Sequence, residues 1–202
     1  RKINAWDFDL GSREILENEE ELIWYPAEVN TSIRPGWFYH KNEDEKVRSI
    51  EELFHIYLNS VGGNSTFLLN IPPTTEGLFH KNDVETLEKF GKLLESEFSN
   101  SVLEVTNPQF FINENKVYDY EFTFPKSKIS YLILQEDIIK SQRVEKFTVM
   151  VEDKENLNVV YFGTVIGYKK IIKFAEKIET SKVLLKINEC RCEPKLLFAA
   201  II

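Results

Sequence analysis

The sequence predicts two successive textures, an α/β portion followed by an all-β portion of the antiparallel sandwich type. Three observations carry this. Two stretches between residues 49 and 98 repeat apolar residues at helical spacing, and a short continuous apolar run lies between them. After Asn100 the helical period vanishes, and β-branched and aromatic stretches follow one another across polar turns. No internal repeat and no low-complexity linker separates the halves, and the boundary falls between residues 99 and 106.

The first helix is expected over 49–61. Ile50, Leu53, Phe54, Tyr57, Leu58 and Val61 share one face. Ser49 with Glu52 reads as a capping box, and "GGN" at 62–64 stops the helix. "TFLLNI", 66–71, reads as a buried parallel strand ended by Pro72-Pro73. A second helix is expected from about Asp83 to Phe98, with Val84, Leu87, Phe90, Leu94 and Phe98 on one face and Asn82 with Glu85 as its capping pair. The all-β half is read from "YDYEFTF", "ISYLILQED", "RVEKFTVMVED", "NLNVVYFGTVIGYKKIIKF", "KVLLKIN" and "KLLFAAII".

Composition narrows the function classes. Apolar and charged fractions of 43% and 29% are those of a globular protein. A net charge of −8 speaks against a general nucleic-acid binder. No apolar run is long enough for a membrane-spanning helix. The chain opens on Arg1 without a signal-peptide pattern, so it reads as a processed product or a fragment whose targeting signal lies elsewhere. Cys190 and Cys192, in "CRC", lack the second ligand pair of a zinc site and read as two reduced thiols sharing a strand face.

The segment "WYPAEVNTSIRPGWFYH", 24–40, gathers a carboxylate, an arginine, a Pro-Gly turn, aromatic rings and a histidine. Glu28 stands among apolar neighbours, where desolvation suits a general acid. Rings and a histidine suit a sugar, whose apolar face stacks while its hydroxyls seek partners. The competing reading makes Glu28 a solvated loop acid and the aromatics core.

Several motifs in order carry a family resemblance: "DLGSRE" at 9–14, "PAEV…SIRPGWFYH" at 26–40, "SVGGN…FLLNIPP" at 60–73 and "GLFHKNDVETL" at 77–87. With "FGTVIGYKKIIKF" in the second half, they resemble the α-L-fucosidases of glycoside hydrolase family 29, most nearly the branch that cleaves α-1,3/1,4-linked fucose. The resemblance implies a catalytic (β/α)8-like barrel followed by a β-sandwich. This chain would supply the C-terminal part of the barrel, 1–98, and the sandwich, 99–202, and the N-terminal portion of the barrel would be missing. It implies a retaining mechanism on a fucosylated oligosaccharide or glycoconjugate, without metal or organic cofactor, nucleic acid or membrane. A secreted, extracellular or lysosomal setting is expected before a cytoplasmic one.

By motif, Glu28 matches the acid/base and should sit at the C-terminal end of a strand. The aspartate nucleophile belongs to an earlier strand, and Asp7 and Asp9 are too close to Glu28 in sequence to stand for it. Arg13 resembles an arginine that contacts fucose hydroxyls, against the reading of a surface ion pair. Trp37 falls where the family places a ring near the sugar, against barrel core. His40 lines the cleft or makes a structural hydrogen bond. Arg34 is expected to hold its loop through backbone carbonyls. His55 and His80 read as structural or solvated, Asn64 and Asn70 as turn residues, and "ENEEE", 17–21, as a solvated loop. Asn30 replaces an aspartate common in the family. It creates the sequon "NTS", and a second sequon, "NST", begins at Asn64. A non-catalytic carbohydrate-binding or structural fragment of such an enzyme remains the alternative.

Overall fold

The computed structural model describes residues 12–23, 26–154 and 156–202. They form two compact units. One joins the described residues before Ala27 with 102–201, and the other spans 27–101.

The 27–101 unit runs β1 (Glu28–Ser32), α2 (Ile50–Ser60), β2 (Thr66–Asn70) and α3 (Lys81–Phe98); α1 (Arg13–Leu16) precedes it in the chain. β1 and β2 pair in parallel, Glu28 opposite Thr66 and Ser32 opposite Asn70. The expected capping box starts α2: Ser49 Oγ accepts from the Glu52 amide at 3.2 Å, and the Glu52 carboxylate accepts from the Ser49 amide at 3.0 Å. The left-handed residue of "GGN" is Asn64 (φ 67°). Gly63 meets a different need, because a Cβ there would lie 2.5 Å from the Asn59 carbonyl oxygen.

α3 differs from expectation. It begins at Lys81, and His80 is its N-cap, Nδ1 accepting from the Asn82 amide at 3.3 Å. A neutral imidazole nitrogen can do what a Ser or Asp oxygen does at this position. α2 and α3 pack through Phe54 on Phe98 and Tyr57 on Phe90, with centroids 6.2 and 6.3 Å apart. β2 is parallel, as read, but it is not buried: Leu68 is 46% exposed. Among the described residues only β1 pairs with it.

The other unit is a seven-stranded antiparallel sheet folded over one core. Its strands are β3 (Leu103–Thr106), β4 (Phe111–Ile112), β5 (Tyr118–Glu136), β6 (Val144–Asp153), β7 (Asn156–Gly163), β8 (Lys170–Cys190) and β9 (Leu196–Ile201). The order is β3-β9-β5-β8-β6-β7, with β4 on β5. β5 and β8 are long strands whose two ends serve different neighbours. The β5 start pairs with the β8 end, which also carries β6; the β5 end pairs with the β8 start and with β9. Register shifts between Thr123 and Ser127, and between Ile129 and Tyr131, interrupt the ladder. Pro125, which has no N–H to give, lies in the first of them. Side chains from both ends of these strands, among them Phe122, Leu132, Ile172 and Leu185, then meet Phe147 of β6 in one buried cluster. This is a sandwich-like arrangement.

Polar groups close the sandwich loops. The buried Glu136 carboxylate accepts from the amides of Arg143 and Val144 at 3.0 Å each and of Gly167 at 2.7 Å. Both cysteines are free; Cys190 ends β8, whereas Cys192 lies in the turn beyond it. The two thiols therefore do not share a strand face.

Candidate functional site

The segment leaving β1 carries most of the predicted site. Its frame is polar and buried. Ser32 (6% exposed) ends β1, and its Oγ receives the Asn70 carboxamide at 3.1 Å and the Arg34 amide at 3.4 Å. The same carboxamide nitrogen donates to the Trp37 carbonyl at 2.9 Å. The Asn70 backbone carbonyl takes the Ile33 amide at 2.9 Å.

Below this turn the Arg34 side chain is closed to solvent. Its Nε donates to both oxygens of the equally buried Asp83, at 3.0 and 2.9 Å, and one terminal nitrogen donates to Asp44 at 2.9 Å. The guanidinium also lies over the Tyr39 ring, 4.9 Å from its centroid. The Tyr39 hydroxyl donates to Asp44 at 3.3 Å, and His80 Nε2 stands 3.4 Å from the same carboxylate. Burial pushes the Asp44 carboxyl up, but the Arg34 hydrogen bond, the nearby His80 and the Tyr39 hydroxyl outweigh it and hold it below its ordinary value. Arg34 thus holds the loop as expected, though through carboxylates rather than backbone carbonyls. A guanidinium at such depth needs charge neutralisation that carbonyls do not supply.

The predicted site residues fall in different places. Trp37 (45% exposed) and His40 follow β1 at its C-terminal end, the end of parallel strands outside which ligands bind in α/β sheets. His40 caps a short 3-10 turn, Lys41–Glu43, through its carbonyl, which accepts the Glu43 amide at 2.9 Å; its own ring makes no capping bond. Glu28 departs from expectation. It is the first residue of β1, not a residue at the strand's far end, and its side chain is exposed. Glu28 and Ser32 are therefore about 13 Å apart along the strand.

Arg13 belongs to the other unit. There it opens α1 behind the Ser12 cap and donates to Glu145 at 2.9 and 2.5 Å. The Arg13 hydrogen bond, opposed by burial and aided by Arg191, holds the Glu145 carboxyl below its ordinary value. Asp7, Asp9, Trp24 and Tyr25 lie outside the described residues. His55 is exposed beside Asn59, and the acidic run 17–21 is largely exposed. Among the described residues, no three His, Cys, Asp or Glu side chains stand together as a metal site would require.

Asp44, Asp83, His80 and Tyr39 were not anticipated as partners. One signal pointed to them: an arginine between Ile33 and Pro35 in an apolar turn requires carboxylates somewhere near it.

Residues 5–99 match the family model for alpha-L-fucosidase. The chain is 29% identical over 207 residues to alpha-L-fucosidase 1 of Arabidopsis thaliana, a match covering 88% of this chain and 40% of that protein. It is similar to a Bacteroides ovatus protein assigned as an alpha-L-fucosidase, with a TM-score of 0.84, 40% identity, and coverage of 98% of this chain and 34% of the other. A glycoside hydrolase 29 family member from a rumen bacterium superposes with a TM-score of 0.79 at 32% identity, covering 93% of this chain and 34% of the other. The chain thus spans well under half the length of these three proteins. Residues 5–99, which hold the parallel β-α unit, match that family model, and the similar proteins run on through the antiparallel sheet, so the chain is similar over nearly its whole length to the α-L-fucosidases of glycoside hydrolase family 29.

Proposed function

We propose that the protein to which this chain belongs is an α-L-fucosidase, a retaining hydrolase of α-L-fucosyl linkages in glycans, acting on α-1,3/1,4-linked fucose. The observation that carries the reading is the "SIRPGWFYH" turn, a buried ionic frame that presents exposed rings at the C-terminal end of two parallel strands. Such rings suit the apolar face of fucose. The family relationship supports the same substrate.

In this reading 1–98 is the C-terminal part of a (β/α)8-like barrel and 99–202 the sandwich. Among the described residues β1 and β2 pair only with each other, which fits that role, since parallel sheets are stable when extended and covered. The aspartate nucleophile comes from outside this chain, so the 202-residue chain alone should not hydrolyse fucosides. Trp37 and His40 line the sugar site, and Glu28 acts as acid in the first step and base in the second.

The position of Glu28 at the start of β1 favours a second reading for this residue alone. There it would be a carboxylate lining the barrel floor, with the proton donor elsewhere in the protein.

Glu28→Gln in the full-length protein separates the two. As the acid/base, its loss should slow cleavage of a natural fucoside by about 10²- to 10⁴-fold. Aryl fucosides with good leaving groups should suffer less in the first step, and azide should restore turnover with retained configuration. Activity on a natural fucoside within a few-fold of wild type would make Glu28 a floor residue. No activity of the wild type on any α-L-fucoside would sink the functional reading itself.

A further inference from the structure

Asn70 ties together residues far apart in the chain. Its backbone carbonyl accepts from Ile33, while its carboxamide nitrogen gives one hydrogen to Ser32 Oγ and the other to the Trp37 carbonyl. The orientation of the amide follows from chemistry. Turned over, its oxygen would face the Trp37 carbonyl oxygen, two acceptors without a proton between them. Ser32 is committed on its other sides, donating to the Asn70 carbonyl at 3.4 Å and accepting the Arg34 amide. The turn from 32 to 37 is therefore pinned at both ends by one residue of β2. The indole it carries remains 45% exposed, and Phe38 beside it is 74% exposed. An exposed ring on a fixed main chain has lost part of its freedom before a ligand arrives, which lowers the entropy cost of stacking.

We propose that Asn70 is a positioning residue: its carboxamide fixes the Trp37 main chain, and with it the indole, in the orientation that stacks on the sugar. This rests on the fucosidase reading for the identity of the sugar, but not for the link between Asn70 and Trp37. The role is one of binding, so its loss should appear in KM before kcat.

The test uses the full-length protein with Asn70→Ala, Asn70→Asp, Trp37→Ala and the Asn70→Ala/Trp37→Ala pair. Losing a hydrogen bond of this kind should raise KM for an aryl α-L-fucoside about five-fold with kcat nearly unchanged. Asn70→Asp keeps the shape but cannot donate, so it should do at least as much harm. Trp37→Ala should raise KM further, and adding Asn70→Ala to it should change little, because the two act through one ring. Fluorine NMR of 5-fluorotryptophan-labelled protein, with the Trp37 signal assigned by its loss in Trp37→Phe, should show that signal shifted or broadened by Asn70→Asp.

Wild-type KM in Asn70→Ala and Asn70→Asp, additive effects in the pair, or an unmoved Trp37 signal would each overturn the proposal. If the wild type does not act on fucosides, the NMR arm still decides whether Asn70 sets Trp37, and the failure then belongs to the functional reading.

Discussion

Arg34 and Asp83 form an ion pair closed to solvent on both sides, with Nε donating to the two carboxylate oxygens at 3.0 and 2.9 Å. Asp83 lies in the first turn of α3 and Arg34 two residues beyond β1, so the pair joins a strand exit to a helix start. The carboxylate also meets the positive end of the helix dipole.

Removing one partner leaves the other charge buried. Asp83→Ala should therefore cost about 3–5 kcal/mol. Replacing both, as Arg34→Met with Asp83→Leu, should recover part of that loss, because no fully buried charge remains and only the partly exposed Asp44 carboxylate loses its Arg34 partner. Urea denaturation of the full-length protein, followed by far-ultraviolet circular dichroism, measures both. An Asp83→Ala variant as stable as wild type would show that the pair contributes nothing net.

Within the sandwich, Gly163 ends β7 directly over Phe147. A Cβ at 163 would lie 2.2 Å from the Phe147 ring, which is 1% exposed and cannot swing into solvent. Gly163→Ala should destabilise the protein by about 1–3 kcal/mol through overpacking. Adding Phe147→Leu should soften the clash, so the double variant should be more stable than the sum of the two single losses. Thermal denaturation of the four proteins tests this, and strict additivity would count against the contact.

The elements legible in the sequence were those held by local rules. The Ser49–Glu52 box and the apolar face of α2 rest on neighbours within a turn or two, and the structure repeats them. The Asn82–Glu85 pair misled because the real cap, His80, belongs to a residue type with several other roles. In the sheet, "YDYEFTF" and "ISYLILQED" looked like two strands across a polar "PKSK" turn. They are one strand, β5, with Pro125 at a register shift. The same holds for β8, where the polar stretch around Glu179 continues the ladder. Conversely, "NLNVVYFGTVIGYKKIIKF" reads as one run but breaks between Gly163 and Lys170. Long-range pairing decides these cases, and local hydropathy does not report it. At the site, the motif located the loop, whereas its supports, Asp44 and Asp83, lie 10 and 49 residues from Arg34 and follow from charge balance in three dimensions.

The last prediction concerns alkaline pH. Tyr120 is 1% exposed, and its hydroxyl donates to the Pro194 carbonyl at 3.2 Å. Burial pushes the phenol up, well above its ordinary value, and the carboxylates of Glu136 and Glu193 add to this against a backbone hydrogen bond that lowers it. The unfolded chain releases this proton near pH ~10, while the folded protein still keeps it. Below that pH both states are protonated, and the full stabilising contribution is present. As the pH rises above about 10, the unfolded state gains by ionising, so stability falls until the folded-state value is reached. Tyr120→Phe has no proton to lose at this position. It should be less stable than wild type near neutral pH, by about 1 kcal/mol for the lost hydrogen bond. The gap should narrow at about pH 11, because only the wild type suffers the ionisation of this residue when unfolded. Urea midpoints of the two proteins at both pH values give the answer, and the other tyrosines cancel because both proteins carry them. A constant gap in alkali would mean that Tyr120 titrates in the folded sandwich as it does in water, and a widening one that folding eases its ionisation; either would overturn the prediction.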